Sequence, residues 1–301
     1  MRSYTSTKIG LAPRISEALN LYRVHAEDIP GQISQLLRRV RDAEEDFRRC
    51  TGRELNGLEV LEVGPGQKLK YLRYFGIRNN ATGIDLDVVS DSLAIPAIVR
   101  MLRVNGPTRT AKTVVRKALG LDAKFNQELC KQLGVTRLPE PRVIQMNAEK
   151  MAFSEAKFDF VFSRSTFEHL AAPNVVIDQI NRVLKPGGVA HISVHPYTSD
   201  SGCHDPRISS GRREKLPFWS HLRPEHIDKV QGNAYLNKIR LAEWRDLFRS
   251  KVPNVTLRAI EDENSRLRAE LGGLRRAGEL TGYTDEELLT VDLVAMWKRD
   301  W

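Results

Sequence analysis

The spacing of apolar positions along the chain changes near residue 58. Before that point, apolar residues recur at i, i+3, i+4 and i+7 among charged residues, which predicts an amphipathic helix. These residues are Ile33, Leu36, Leu37 and Val40. Pro30 and Gly31 separate this helix from an earlier predicted helix around residues 15–22. Residues 1–57 are interpreted as an N-terminal helical extension, either a lid over a site or a packing layer.

From residue 58 onward, short apolar runs that end in Gly, Asp or Ser alternate with amphipathic stretches, which predicts strand–helix–strand units and a parallel sheet. The predicted strands are 58–64, 81–86, 142–146, 158–163, 188–194, 254–260 and 288–297. A crossover helix is predicted before the fifth strand, ended by the run Pro186, Gly187 and Gly188. Helices are also predicted over 241–248 and 262–277. The pattern favours one α/β domain over residues 58–301.

Residues 88–141 interrupt this alternation, because they exceed the length that a crossover needs. The segment holds nine basic and four acidic residues, a local balance of +5. It is interpreted as a basic insertion. Two interpretations stay open, a solvated helical cap and a binding lid for an anionic substrate or a lipid surface, so peripheral membrane contact is one of the expected partner types.

The composition indicates a folded globular protein, with 41% hydrophobic and 28% charged residues among 301. No apolar stretch approaches the roughly 20 residues of a membrane span, and the first residues lack an apolar signal core, so a cytoplasmic location is expected. Cys50, Cys130 and Cys203 are odd in number and widely spaced, which favours reduced thiols. The net charge of +9 is compatible with a polyanionic partner or with a merely solvated surface.

A glycine turn follows the first predicted strand in the segment VLEVGPGQ (60–67). In open parallel sheets the ligand crevice lies at the carboxyl ends of the strands, and Gly64 and Gly66 allow backbone amides to approach a ligand. A nicotinamide dinucleotide site would want a third glycine where Leu69 stands. Asp85 follows the second strand about twenty residues later, where a carboxylate can accept both hydroxyls of a ribose; capping a helix is its alternative role.

Polar side chains also follow the later strands. Asn147 and Ala148 come after the third strand and could flank a base ring. His169 and His195 come after the fourth and fifth strands, where a neutral imidazole could act as a base. A packing role is the alternative for both histidines.

Residues 196–238, after the fifth strand, are interpreted as an acceptor-pocket region, because they concentrate groups that could bind an acceptor substrate. The candidates are Tyr197, His204, Asp205, Trp219 and His221, with loop anchoring as the alternative for the tryptophan and its neighbours. Cys203, His204 and Asp205 are adjacent in sequence and match no zinc spacing, so no metal is expected.

Five ordered motifs over about residues 55–195 resemble the class I S-adenosylmethionine-dependent methyltransferases. They are EVGPGQ (62–67), GIDLD (83–87), MNAEKMAF (146–153), FDFVFSRSTFEHL (158–170) and INRVLKPGGVAHISV (180–194). The resemblance implies a doubly wound, mostly parallel sheet of seven strands, a Rossmann-like fold, with a reversed last strand. It implies S-adenosyl-L-methionine as the cofactor.

By this resemblance, Glu62 and the turn Gly64-Pro65-Gly66 line the methionine part of the cofactor. Asp85 and the adjacent Leu86 contact the ribose side, Asn147 and Ala148 flank the adenine, and Ser163 begins the loop beneath the sulfonium. The sequence departs from the family at Lys68, where many members have another glycine, and at Asn147, which replaces the usual aspartate.

The expected function is O-methylation of a small molecule or a saccharide hydroxyl, with His169 or His195 as the base. One alternative is a methyltransferase that acts on RNA or another polyanion, which the net charge supports. The loop after the fourth strand does not support this alternative, because it lacks the N/D-P-P-Y/F sequence that enzymes methylating adenine or some protein amides have there. The alternative of another class is a cofactor-binding interaction protein without catalysis.

Overall fold

The computed structural model describes residues 28–90, 92–209, 213, 216–232 and 234–300. Its strands are β1 Glu59–Val63, β2 Asn80–Asp85, β3 Arg142–Gln145, β4 Phe158–Arg164, β5 Leu184–Val194, β6 Thr256–Glu261 and β7 Thr290–Lys298. They form one mostly parallel sheet in the order β3-β2-β1-β4-β5-β7-β6. The expected α/β fold with a doubly wound, seven-stranded sheet is confirmed. The predicted helix around residues 15–22 lies outside the described residues.

Helices alternate with these strands along the chain. The α-helices of the described residues are α1 Ile29–Thr51, α2 Lys70–Gly76, α3 Ile95–Asn105, α4 Pro107–Ala118, α5 Leu121–Leu133, α6 Pro173–Val183, α7 Pro206–Ser209, α8 Leu241–Lys251, α9 Ser265–Arg276 and α10 Asp285–Leu289. The described residues group into two compact units. The first comprises 28–164, 174–192 and 296–300, and the second comprises 165–173 and 193–295.

The apolar face of α1 packs within the first unit. Asp28 starts this helix by accepting a hydrogen bond from the backbone N–H of Gly31, and Gly52 ends it in a left-handed conformation. Along the buried face lie Ile33, Leu36, Val40, Ala43 and Phe47, clustered with residues of β1, β4 and β5. This placement supports the packing-layer interpretation of the helix.

The run Pro186-Gly187-Gly188 does not end the crossover helix as predicted. Helix α6 ends earlier, at Val183, and the whole run lies inside β5. A Cβ on Gly188 would meet the carbonyl oxygen of Lys185 at 2.9 Å and that of Asp159 at 3.1 Å. The glycine is therefore required by a close approach of backbones, which the one-dimensional pattern could not distinguish from a helix stop.

The insertion between β2 and β3 folds as the three helices α3, α4 and α5. Its inward positions include Met101, Phe125 and Leu129, which are buried. Several large apolar side chains remain exposed on it, and these include Ile95, Leu102 and Leu119. Within the described part of the chain, no helix has both the length and the apolar character that crossing a membrane requires.

Candidate active site

The register of three parallel strands brings the candidate cofactor residues of the first unit to one edge of the sheet. Val63 of β1 is paired with Ile84 of β2 and with Ser163 of β4. The glycine turn therefore begins beside the residue that precedes Asp85. Residues 100 positions apart in sequence become neighbours through strand pairing alone.

The turn after β1 has the backbone shape that its two glycines predict. Gly64 and Gly66 have φ angles of 74° and 62°, in the left-handed region that favours glycine. The N–H of Gly64 donates to the carbonyl of Ile84 at 2.9 Å. A Cβ added to Gly66 would meet no described atom within 4 Å, so the turn borders open space. This space can admit a ligand group next to the backbone.

Gly83 also shapes this turn, although the sequence pattern did not single it out. A Cβ at Gly83 would lie 2.9 Å from Cγ of Pro65 and 2.9 Å from a methyl group of Leu72. The proline ring therefore packs against bare backbone of β2. The surrounding residues, NATGID, carry no local signal for this packing, because the contact with Pro65 forms only when β2 pairs beside the turn.

Asp85 joins the turn to the end of β2. Its Oδ2 accepts from the N–H of Gly66 at 3.1 Å, and its Oδ1 accepts from the N–H of Asp87 at 2.9 Å. Burial raises the pKa of the Asp85 carboxyl, and these two backbone donors oppose the rise. The next described helix begins only at Ile95, so the carboxylate orders the turn and does not cap a helix.

Glu62 lies beneath the turn and is 2% exposed. Burial raises the pKa of its carboxyl to about 8, and the nearby charge of Asp85 adds to the rise. Oε2 of Glu62 has no hydrogen-bond partner among the described residues. A buried acceptor of this kind fits a cationic donor such as the α-ammonium group of a methionine moiety.

The remaining candidates of the first unit make local hydrogen bonds. Oδ1 of Asn147 accepts from the N–H of Glu149 at 3.0 Å, which caps the short helix Ala148–Lys150. Ser163 donates to the carbonyl of Val63 at 2.8 Å and is wholly buried. Its hydroxyl thus holds β4 against the start of the turn. Leu86 remains partly exposed beside Asp85.

These observations fit S-adenosylmethionine. Glu62 would accept from its ammonium group, Asp85 would accept from its ribose hydroxyls, and Gly66 leaves space for its chain. Pro65 and Ser163 would position the turn, and Asn147 retains an amide that can face a base.

Both catalytic candidates lie in the second unit, and both have one imidazole nitrogen against a backbone carbonyl. Nδ1 of His195 is 2.6 Å from the carbonyl oxygen of Val291, and Nδ1 of His169 is 2.7 Å from that of Tyr235. Because a carbonyl only accepts, each Nδ1 carries the proton. Nε2 of His195 then holds a lone pair, which faces the hydroxyls of Ser199 and Ser201 at 3.3 and 3.1 Å. This tautomer is the one that a base requires.

His204 completes a cluster with these two histidines. Its ring centroid is 4.8 Å from that of His169 and 5.4 Å from that of His195. Burial, together with both neighbouring histidines, lowers the pKa of His204 to about 3, so it is neutral near pH 7. Ligand atoms of Glu168, His169 and His204 lie within 4.8 Å of one another, a set that could hold a metal ion. The expectation that no metal binds stays a prediction.

Two of the residues predicted to contact a substrate, Trp219 and Asp205, are buried and make hydrogen bonds within the second unit. Trp219 is 0% exposed and clusters with leucines of α9 and α10, and its indole N–H donates to the carbonyl of Leu288. Asp205 is buried and accepts from the side chain of Arg207 and from the backbone N–H of Gln231. Neither side chain has a free polar face for a ligand in this arrangement. The contacts of Trp219 are distant in sequence, whereas Asp205 pairs with Arg207 two positions later as well as with Gln231.

Tyr197 and His221 contact each other in the second unit. Their rings lie 4.9 Å apart, edge to face, and Nε2 of His221 is 2.8 Å from the carbonyl oxygen of Tyr197. Burial lowers the pKa of His221 to about 4 and raises the pKa of Tyr197 to about 12. Both groups are therefore neutral near pH 7. They remain candidates for contacts with an uncharged acceptor.

Comparison with known proteins adds a family match. A family model described as a methyltransferase domain matches residues 27–249. The uncharacterized protein Rv1509 of Mycobacterium tuberculosis is 27% identical over 150 residues, covering 48% of this chain and 46% of that protein. The chain therefore spans about half the length of the curated relatives it matches.

Two solved structures are similar at low identity. Phosphoethanolamine N-methyltransferase 2 of Haemonchus contortus, bound to S-adenosyl-L-methionine, is 16% identical with a TM-score of 0.44, covering 86% of this chain and 53% of that one. A SAM-dependent methyltransferase of Methanosarcina mazei is 17% identical with a TM-score of 0.41, covering 81% and 93%. Similarity at this level says nothing about the methyl acceptor.

Proposed function

The chain belongs to the S-adenosylmethionine-dependent methyltransferases, and from this premise we propose that the protein transfers a methyl group to a hydroxyl of a small molecule or saccharide. Bound S-adenosylmethionine supplies an activated methyl group on a sulfonium, so the protein's task is binding, orientation and removal of one proton. The observation that carries the proposal of a hydroxyl acceptor is the tautomer of His195.

In the first unit, the proposed donor site combines a carboxylate, an open glycine turn and a buried acid. Asp85 is held by the N–H groups of Gly66 and Asp87, so its position is fixed before a ligand arrives. Gly66 leaves room beside the backbone. Oε2 of Glu62 provides an acceptor that no described residue uses. These three features suit the ammonium group, the methionine chain and the ribose of S-adenosylmethionine.

In the second unit, His195 is the proposed base. Its Nδ1 proton is held by the carbonyl of Val291, which leaves Nε2 to accept the proton that an acceptor hydroxyl loses as its oxygen bonds to carbon. Ser199 and Ser201 lie close enough to Nε2 to fix the plane of the ring. His169 has the same tautomer and is the alternative base.

Binding of the product S-adenosylhomocysteine is expected to weaken as the pH falls below 8. In the free protein Glu62 has a pKa of about 8 and is protonated at lower pH, whereas a bound ammonium favours the ionised carboxylate. Binding below pH 8 therefore releases a proton, and affinity falls by up to about tenfold per pH unit. Isothermal titration calorimetry at pH 6, 7 and 8 measures this slope.

The matched variants for this measurement are Glu62→Gln and Glu59→Gln, on the same strand. Glu62→Gln is expected to bind about 10- to 100-fold more weakly at pH 8 and to lose most of the slope, because a neutral amide cannot form the charge-assisted hydrogen bond. Glu59 instead contacts Asn80, so its variant retains the slope. An unchanged slope in Glu62→Gln contradicts the assigned ammonium contact.

The proposed acceptor class is tested by methyl transfer from tritiated S-adenosylmethionine into extract fractions sorted into small-molecule, glycan, lipid, RNA and protein pools. Label is expected in the small-molecule or glycan pool, as a methyl ether that survives acid hydrolysis. Dominant label in RNA would favour the polyanion alternative, which the basic insertion supports. Absence of label in every pool, with S-adenosylhomocysteine still bound, would favour a binding protein without catalysis.

A further inference from the structure

A pocket of the first unit is lined by basic side chains other than the residues proposed for the donor site, although one of them, Arg116, donates to the carbonyl of Gln67 beside Gly66 at 3.0 Å. It lies where α1, the segment after the glycine turn and the helices α4 and α5 meet. Its basic members are Lys68, Lys70 and Arg116, and its apolar members include Ile29 and Phe125. Lys68 stands where many members of the family have another glycine.

Positive charge exceeds negative charge in this pocket. Asp122 is the carboxylate that lines it, and its Oδ1 accepts from Nε of Arg116 at 2.8 Å. Lys117 approaches the same carboxylate at 3.8 Å. Among the described residues, no carboxylate lies within ion-pair distance of Lys68 or Lys70. Three lining cations against one lining anion give an excess of about two positive charges when both lysines are protonated, a state that a bound anion favours.

Two contacts hold the ammonium group of Lys70 in the pocket, and Lys68 lines the same pocket. Nζ of Lys70 donates to Oε1 of Gln32 at 3.1 Å and lies 4.5 Å from the ring centroid of Phe125. Burial lowers the pKa of Lys70 to about 7 and that of Lys68 to about 8, and the charge of a neighbouring cation adds to each shift. Arg39 and Arg164 also lower the pKa of Lys70. An anion in the pocket would relieve this repulsion.

We propose that the Lys68–Lys70–Arg116 pocket binds a phosphate-type dianion. A phosphate monoester carries about −1.5 to −2 charges at pH 7, which matches the excess in the pocket, whereas a carboxylate would neutralise only half of it. Arg116 and the lysines supply several N–H donors for its oxygens. The walls formed by Ile29 and Phe125 suit one compact group and not an extended nucleic-acid backbone, which would need an open basic stripe.

The test is binding of inorganic phosphate and of glucose 6-phosphate to the full chain, measured by calorimetry with and without saturating S-adenosylhomocysteine. Both phosphates are expected to bind, and acetate is expected to bind at least tenfold more weakly. Saturating S-adenosylhomocysteine is expected to change the affinity for each phosphate by less than threefold. Tighter binding of glucose 6-phosphate identifies a phosphorylated small molecule as the source, and equal affinities identify free phosphate. This readout involves no methyl transfer, so it can fail or succeed independently of the proposed function.

The diagnostic variants are Lys68→Gln and Lys70→Gln, made singly, with Lys131→Gln as the control. Lys131 lies on α5, the helix that carries the lining residues Asp122 and Phe125, but its side chain is 80% exposed and faces Glu128. Each pocket variant is expected to bind phosphate at least tenfold more weakly and to lose the rise in melting temperature that phosphate causes. The control is expected to keep the wild-type affinity and the wild-type rise. Equal weakening in the control, or loss of phosphate binding when S-adenosylhomocysteine is added, would overturn the proposal. In the second case the pocket takes the carboxylate of the donor.

Discussion

Gly66→Arg is expected to lower the affinity for S-adenosylhomocysteine at least 1000-fold while the chain stays folded. Gly66 has a φ of 62°, and a side chain added there would project into space that no described atom occupies. An arginine would fill that space and remove the close approach of backbone to ligand. The measurement is calorimetric titration with S-adenosylhomocysteine, accompanied by thermal unfolding.

The matched control is Gly57→Arg. Gly57 has a φ of 69° and likewise has no described atom within 4 Å of an added Cβ, so the same left-handed strain of about 1–2 kcal/mol is imposed. It precedes β1, at the end of the strand away from the turn. Similar loss of melting temperature in both variants, with loss of binding in Gly66→Arg alone, separates ligand exclusion from strain. Normal binding by Gly66→Arg would remove the turn from the cofactor site.

His195→Ala is expected to lower kcat about 100-fold with little change in KM. The reason is that Nε2, the lone pair facing Ser199 and Ser201, would no longer take the proton of the acceptor hydroxyl. Single-turnover methyl transfer to the labelled acceptor, measured over a range of acceptor concentrations, gives the effect on the maximal rate and on the acceptor concentration at half-maximal rate.

His195→Gln separates catalysis from structural support. Glutamine can still donate a hydrogen bond toward Val291, but it cannot act as a base near neutral pH. A rate as low as that of His195→Ala supports proton removal by His195. Recovery of the rate in His195→Gln would assign the histidine to packing and make His169 the better candidate for the base.

The elements that a local pattern can define were predicted well. The apolar runs of β1 and β4 and the glycine turn between β1 and α2 are set by neighbouring residues, and parallel pairing then brings Asp85 and Ser163 to the turn. Strand pairing is a general rule, so the placement of these residues around the turn was accessible from sequence; their role in binding the cofactor stays a prediction.

The second unit was less predictable, because side-chain roles there depend on partners far along the chain. Trp219 resembles an exposed stacking residue in its polar segment, yet it is buried by leucines about 50 to 70 positions later. His195 gains its tautomer from Val291, which is 96 positions away. The basic pocket likewise joins Gln32, Lys68 and Arg116 from three separate segments.

The packing of Pro65 on bare Gly83 has a thermodynamic consequence. A proline ring packed against a strand backbone restricts the turn whether or not a ligand is present. The conformational entropy of these residues is thus lost when the chain folds, and little remains to be lost when the donor arrives. Because this loop is preorganised, exchange of the ligand between turnovers does not require the backbone to reorder.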